Sequence, residues 1–165
     1  MGADKAQIRV GGRRLVDKLL STLPPAAPRV VVSPADLGMP TVAEDPPFGG
    51  PVAGIAAGVT ELGTPLVAVL AVDAPRSAAL LPALRNALGD GDCALAVSDD
   101  GFDQPLCALW RRRSLLDALA KTGSRDAPAR ALVRAARCVA RVPGRGLERD
   151  FDTPEALAEL GPVEL

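Results

Sequence analysis

Asp73 is the residue of this 165-residue chain whose position most directly suggests chemistry. It follows the apolar run LVAVLAV (66–72) and precedes Ala-Pro, so we expect it at the carboxyl end of a central strand. A carboxylate held there is costly to bury unless a cation or hydrogen-bond donors compensate it. Mg²⁺ shared with substrate phosphates would do so, because it takes one or two carboxylates together with phosphate oxygens. The alternative is an ordinary capping aspartate for the following helix.

Two further features could contact phosphate. Lys5 stands three residues after Gly2, and a lysine that leaves a glycine-bearing turn can reach a phosphate as a point charge. Otherwise Lys5 is a solvated terminal lysine. In PFGGPVAG (47–54), paired glycines before a helix start either offer backbone N–H groups to a ligand or form a tight turn against the sheet.

Asp150 and Asp152 flank Phe151 immediately before the last predicted helix. Side chains two residues apart point to the same side of an extended chain, so both carboxylates would face one way. They would either cap that helix or add an outer contact to a bound metal.

Composition narrows the possible chemistry. The chain has no histidine, which excludes Ser-His-Asp and Cys-His catalysis and histidine-ligated metals. A net charge of −1 and an aromatic content of 2% favour neither nucleic acid nor a membrane as partner. The three cysteines are odd in number and lie in apolar runs, which predicts buried, reduced thiols in a cytoplasmic protein; they are Cys93, Cys107 and Cys138.

Predicted strands and predicted helices, which must position these residues, alternate along the sequence. Continuous apolar runs predict strands at 29–33, 64–75, 93–98, 106–110 and 138–142. Helical spacing predicts helices at 13–23, 52–62, 77–88, 112–121, 127–136 and from Thr153, where Thr153 would be the N-cap and Pro154 the first helical residue. We therefore expect one α/β domain over residues 1–165, with three layers and a mostly parallel sheet. Its ligand would bind beyond the strands' carboxyl ends, where the loops after Ser33, Asp45 and Asp73 would share one rim.

The order of several motifs resembles the MobA-like nucleotidyltransferases, and among them the guanylyltransferases of molybdenum cofactor maturation. These motifs are MGADKA, VVVS, EDPPFGGPVAGI, VLAVDAP, QPLCALW and DFDTPEAL, and they cover about residues 1–160. The resemblance implies a Rossmann-like fold of the nucleotide-diphospho-sugar transferase type. It also implies an Mg²⁺-dependent enzyme that joins GTP to molybdopterin and releases pyrophosphate.

The same resemblance assigns roles to individual residues. Asp73 would bind Mg²⁺, and Lys5 would neutralise the nucleotide phosphates. Asp45 corresponds to a nucleotide-binding aspartate of the family, and Ser33 stands where relatives often have asparagine. Asp152 corresponds to the Asn or Asp of the NTPE/DTPE motif, and is assigned to the metal together with Asp73.

The chain departs from the family pattern at its first residues. Family members open with an apolar strand and a loop of the form LAGGxSxRMG, whereas this sequence begins at the final MG. We expect a start further upstream; the alternative is a degenerate member with damaged binding.

Two other functions remain open, a nucleotidyltransferase that uses CTP or another NTP and a non-catalytic binding or scaffold protein. We expect a monomer or a weak homo-oligomer.

Overall fold

A computed structural model describes residues 5–44, 49–123 and 126–164. In chain order the strands are β1 (Arg9–Val10), β2 (Arg13–Arg14), β3 (Val31–Val32), β4 (Thr41–Val42), β5 (Leu66–Leu70), β6 (Cys93–Val97), β7 (Asp103–Arg111), β8 (Val139–Pro143) and β9 (Val163–Glu164). The α-helices are α1 (Leu15–Leu20), α2 (Pro51–Thr60), α3 (Leu81–Leu88), α4 (Arg112–Thr122), α5 (Arg130–Ala135) and α6 (Pro154–Ala158). Lys5–Gln7 and Ser77–Leu80 are short 3₁₀ helices.

The main sheet has the strand order β5-β7-β6-β8. Strands β5, β6 and β8 run in one direction, whereas β7 is antiparallel to both of its neighbours. The sheet is therefore mixed, although three of its four strands are mutually parallel. The cause is the short loop between β6 and β7, where the Phe102 amide donates to Ser98 Oγ at 3.2 Å, because a hairpin connection forces antiparallel pairing.

Helices cover both faces of this sheet, as the predicted three-layer α/β arrangement requires. Side chains of β6 alternate between two separate apolar clusters: Cys93 and Leu95 face α2, α4 and α5, whereas Ala94 and Ala96 face α3. Burial on both faces explains why β6 reads as a continuous apolar run.

The first described segment differs from the sequence prediction. A helix was expected over 13–23, but Arg13–Arg14 form a strand that pairs with β1, and the helix is limited to Leu15–Leu20. Gly11 and Gly12 both have positive φ, 58° and 74°, as a tight two-residue hairpin turn requires. β9 pairs with the other edge of β1, so the last described residues lie beside the first.

Two other expectations need adjustment. The strand predicted over 29–33 is limited to Val31–Val32, which pairs in parallel with β4 in a separate two-stranded sheet. Cys93 and Cys107 are buried as expected, but the prediction for Cys138 is wrong because it is exposed. Cys138 precedes β8 at the edge of the sheet, where the Asp92 carboxylate accepts a hydrogen bond from its amide at 3.1 Å.

Among the described residues, no helix is both long and apolar enough to cross a membrane.

Candidate functional site

Lys5 and Asp73 form an ion pair across 68 residues of sequence. Asp73 lies just beyond the carboxyl end of β5, and Lys5 begins the 3₁₀ helix of the first described segment. Lys5 Nζ donates to Asp73 Oδ2 at 2.6 Å, and the two side chains are 37% and 17% exposed. The structure thus joins the two residues that the sequence analysis selected for catalysis.

The segment that contains Asp150 and Asp152 runs beside this pair. The Phe151 amide donates to the Asp73 carbonyl at 2.8 Å. The Phe151 ring is buried in a cluster with Ile8 and Leu157, whereas Asp150 and Asp152 are exposed. A backbone hydrogen bond therefore holds two further carboxylates next to Asp73.

The pKa values of this group reflect one ammonium among several carboxylates. Burial alone would lower the pKa of Lys5, but the hydrogen bond that Lys5 donates to Asp73 and the negative charges of Asp73, Asp152 and Asp150 outweigh it and raise that pKa. Loss of surrounding water and the negative charge of Asp73 raise the pKa of Asp150. The positive charge of Lys5 lowers that pKa, but by less. Lys5 is thus firmly cationic, while negative charge around it is in excess.

Two arginines that the sequence analysis did not select lie against the same segment. The guanidinium carbons of Arg76 and Arg149 stand 5.5 and 5.1 Å from the centroid of the Phe151 ring, within the range of cation–π contact. Arg149 also binds both carboxylate oxygens of Glu159, each at 2.8 Å. Their positions in the sequence could have identified them, because Arg76 follows Asp73 by three residues and Arg149 directly precedes Asp150.

The structure describes Ser33 but not Asp45, the two other residues that the sequence analysis assigned to nucleotide binding. Ser33 is buried, and its hydroxyl accepts a hydrogen bond from the Ala35 amide at 3.0 Å, so it stabilises the turn after β3. Its neighbours Val31 and Ala35 pack in the same cluster as Ala6 and Val72, which adjoin Lys5 and Asp73. Asp45 lies outside the described residues, so its assigned nucleotide contact stays a prediction.

A cleft of about 300 Å³ adjoins the acidic segment, and Asp150 and the buried Glu148 are among its lining residues. The sequence analysis did not select Glu148, because nothing in RGLERD (145–150) distinguishes a buried glutamate from an exposed one. A larger cleft of about 500 Å³, lined in part by Arg111–Arg113, contains neither Lys5 nor Asp73.

The donor set around Asp73 suits a hard cation. Asp73, Asp150 and Asp152 offer carboxylate oxygens, which Mg²⁺ prefers. In the described part of the chain, no three His, Cys, Asp or Glu side chains are arranged to hold a metal ion on their own. A magnesium ion here would therefore need oxygens of the substrate as further ligands.

Several curated and solved proteins are similar to this chain. A molybdenum cofactor guanylyltransferase from Cereibacter sphaeroides is 31% identical over 119 residues, which are 66% of this chain and 61% of that protein. Another from Burkholderia lata is 34% identical over 149 residues, 79% of this chain and 73% of that protein. The chain thus spans about three fifths (61%) of the length of the relative from Cereibacter sphaeroides.

Solved structures share the fold at lower identity. The molybdopterin-guanine dinucleotide biosynthesis protein A from Archaeoglobus fulgidus superposes with a TM-score of 0.72 at 18% identity, over 96% of this chain and 89% of that one. The 2-C-methyl-D-erythritol 4-phosphate cytidylyltransferase from Thermus thermophilus superposes with a TM-score of 0.67 at 22% identity, over 96% of this chain and 92% of that one. These matches confirm the α/β nucleotidyltransferase fold.

A protein-family model also matches the chain, over a range that includes Lys5, Ser33 and Asp73. The model of the MobA-like NTP transferase domain matches residues 1–141, which is most of the chain. Together with the relatives above, this match confirms the resemblance seen in the motifs: the chain belongs to the MobA-like NTP transferase family.

Proposed function

We propose that this protein transfers GMP from GTP to molybdopterin. A terminal phosphate oxygen of molybdopterin attacks the α-phosphorus of GTP and forms the new P–O bond. The bond from the α-phosphorus to the bridging oxygen breaks, and pyrophosphate leaves with that electron pair. The observation that supports this proposal most directly is the Lys5–Asp73 pair at 2.6 Å beside Asp150 and Asp152, within the fold of a nucleotidyltransferase.

Lys5 acts as the phosphate-binding cation of this reaction. Its raised pKa keeps the ammonium charged at neutral pH, and the Lys5 side chain is 37% exposed, which leaves room for a phosphate to approach. Phosphoryl transfer depends mainly on positioning and on neutralising charge rather than on a strong protein base. When triphosphate binds, the ammonium transfers its hydrogen bond from Asp73 to a phosphate oxygen, which leaves the Asp73 carboxylate free.

Asp73 and Asp152 are the residues that would hold Mg²⁺. Bound there, the ion would act as a Lewis acid on the phosphate oxygens and would bring the two substrates together. The chain's contribution is to fix the carboxylates: the hydrogen bond from the Phe151 amide to the Asp73 carbonyl, 2.8 Å long, ties the Asp152 segment to the end of β5.

The experiment that tests this function measures pyrophosphate release from the full chain with GTP, molybdopterin and Mg²⁺. We expect turnover that requires all three, and a loss of kcat/KM of about 100-fold or more in Asp73→Asn, because that variant removes a carboxylate that would hold Mg²⁺ against the substrate phosphates. Asp100→Asn is the matched control, since Asp100 is an exposed aspartate of the β6–β7 loop. It should leave turnover unchanged.

A panel of nucleotides tests the choice of base, because a solved structure of the same fold is a cytidylyltransferase. A ligand that binds only the folded state stabilises it by RT ln(1 + [L]/Kd), so at equal concentration GTP should raise the melting temperature more than CTP, ATP or UTP. A larger shift with CTP would replace the proposed donor. If none of the four nucleotides binds and Asp73→Asn changes nothing, the protein is not a nucleotidyltransferase.

A further inference from the structure

Residues 111–137, which include α4 and α5, carry a marked excess of positive charge. Eight of the 19 Lys and Arg residues lie in this stretch, against two of the 20 Asp and Glu residues, which leaves 11 cationic and 18 acidic residues elsewhere. A chain with a net charge of −1 thus contains one strongly cationic segment. The proposed phosphate chemistry at Lys5 and Asp73 makes no use of it.

Folding brings these charges together on one surface. The buried sides of α4 and α5, with Leu115 and Leu132, pack on the main sheet in one apolar cluster, and the two helices contact each other. Their opposite sides are exposed to solvent. We call this surface the α4–α5 face, and its exposed cations are Arg113, Lys121, Arg130 and Arg134.

The cations of the α4–α5 face have no ion-pair partner in the described part of the chain. Four other cations each bind a carboxylate at 2.6–2.8 Å, and these are Lys5, Arg14, Arg141 and Arg149. Arg113 and Arg130 also stand in the first turns of their helices, neither of which has an acidic residue. Cations are unfavourable there because the helix dipole is positive at its N-terminal end. Such a local conflict is typical of a functional surface.

A cleft of about 500 Å³ adds an apolar contact at the start of α4. Its lining is cationic and apolar with one carboxylate, from Gly63–Pro65, Arg111–Arg113, Leu116 and Asp117. Leu116 is 37% exposed, and Arg112 Nε donates to the Leu62 carbonyl at 2.6 Å. Because β5 separates Leu62 from Asp73, this cleft lies at the opposite end of that strand from the proposed reaction centre.

Composition selects among the anionic partners that such a face would attract. Residues 111–137 contain no Phe, Trp or Tyr, so they offer no stacking platform for single-stranded nucleic acid. A long duplex would extend over the acidic remainder of the chain, which repels phosphate. A lipid surface needs apolar side chains that insert, but those of α4 and α5 are mostly buried in the core. An acidic protein segment of limited length matches both the charge and the size of the face.

We propose that the α4–α5 face binds an acidic segment of a partner protein, with an apolar residue of that segment in the cleft beside Leu116. Carboxylates of the segment pair with the four exposed cations, and this complementary charge accelerates association and fixes its orientation. The Lys5–Asp73 pair is not part of this surface. Binding of the partner therefore does not depend on the proposed function.

Synthetic peptides test the charge requirement on the full chain. The first has two central leucines flanked on each side by five glutamates, and the second has glutamine in place of every glutamate. Fluorescence anisotropy should show about tenfold or tighter binding of the acidic peptide at about 0.05 M salt. That affinity should fall by about fivefold or more at about 0.3 M salt, because the charges are exposed and are screened.

Arg113→Gln/Arg134→Gln removes one cation from each helix and should weaken binding of the acidic peptide by about fivefold or more. Arg85→Gln/Arg145→Gln is the matched control, because it removes the same charge at exposed arginines of α3 and of the turn after β8. It should change the affinity by less than about twofold. Both variants should melt close to the wild-type temperature, since the replaced side chains are exposed.

Leu116→Ser tests the apolar contact in the cleft. A third peptide, with serines in place of the two leucines, should bind the wild-type chain about threefold or more weakly than the leucine peptide. In Leu116→Ser the two acidic peptides should bind equally. Phe102→Ser, at another exposed apolar residue, is the control and should preserve the difference between the peptides.

The proposal is overturned if the acidic and neutral peptides bind equally, or if the two double variants lose the same affinity. Tighter binding of a DNA duplex of about 12 base pairs than of the acidic peptide would replace the protein partner by nucleic acid. Sedimentation with phosphatidylserine vesicles or self-association of the chain, if abolished in Arg113→Gln/Arg134→Gln, would replace it by a membrane or a second copy. Pyrophosphate release should be unchanged in that variant, so each outcome is separable from a failure of the proposed function.

Discussion

Charge balance governs the site at the scale of single residues. Lys5 is the cation whose charge acts on Asp73 at 2.6 Å, while Asp150 and Asp152 add two more carboxylates around it. Such an arrangement is strained electrostatically until a cation or a ligand with donors enters. The stability of the free protein should therefore rise when one of these carboxylates is neutralised.

Asp150→Asn tests this balance through pH. The pKa of Asp150 is raised in the folded protein above its usual 3.8, so the fold binds this proton more tightly than the unfolded chain does. Stability is then fully present below about pH 3.8 and decreases as pH rises toward the folded-state pKa. We expect Asp150→Asn to raise the free energy of unfolding at pH 7, by less than about 1 kcal/mol because the residue is exposed on one side.

Urea unfolding of both proteins at pH 3.5 and pH 7 measures that difference. The gain of Asp150→Asn should be present at pH 7 and much smaller at pH 3.5, where the wild-type carboxyl group is mostly protonated in both states. Asp100→Asn, at an exposed loop aspartate, controls for the general effect of removing a charge. A variant that is less stable than wild type at pH 7 would mean that Asp150 already has a compensating donor.

At the scale of elements, α2 packs closely against β3 because α2 has glycines, which have no side chain, at the positions that face Val32. A Cβ at Gly58 would come within 3.1 Å of Val32 Cγ2, whereas one at Gly54 would lie 3.5 Å from Val32 Cγ1. Both glycines are in the helix interior, where alanine is more favourable by about 1 kcal/mol. The two positions therefore share the same propensity and differ in the space available.

Paired substitutions at these glycines separate propensity from packing. Gly54→Ala should raise the free energy of unfolding by about 0.5–1 kcal/mol, because its Cβ makes an ordinary contact. Gly58→Ala should gain less or lose stability, since Val32 must move for the new methyl group. Thermal unfolding compares the two variants directly. An equal or larger gain at Gly58 would show that the two-residue strand β3 yields without cost.

Elements could be predicted where local pattern and tertiary context agree. Cys93–Val97 and the Thr153 cap, whose hydroxyl accepts from the Ala156 amide at 3.1 Å, follow the sequence prediction closely. The strands Arg9–Val10 and Val163–Glu164 were not predicted, because two residues show no periodicity and their pairing partner lies at the other end of the chain. At the site, Asp73 was identified from its place after an apolar run. Glu148 was not, since its burial depends on the space at Gly144.

The two ends of the described chain form one unit at the scale of the whole molecule. β9 pairs with β1, and Gly11 N donates to the Pro162 carbonyl at 2.7 Å. Phe151 packs with Ile8 and Leu157 in a cluster separate from the two that cover the main sheet. The segment that positions Lys5 is thus stabilised by residues near the other end of the sequence, whereas Asp73 follows the main sheet.

Phe151→Leu should loosen this unit and leave the main sheet intact. The ring is 1% exposed, so its loss creates a cavity and removes the contacts with Arg76 and Arg149, at a cost of about 1–2 kcal/mol. Hydrogen–deuterium exchange should then show lower protection in peptides covering 8–15 and 151–164, with protection over 93–97 retained. Leu84→Ala, a buried residue of the α3 cluster, is the control with the opposite pattern. Equal loss of protection everywhere in Phe151→Leu would mean that the ends and the sheet unfold as one cooperative unit, and that Lys5 is positioned by the entire fold.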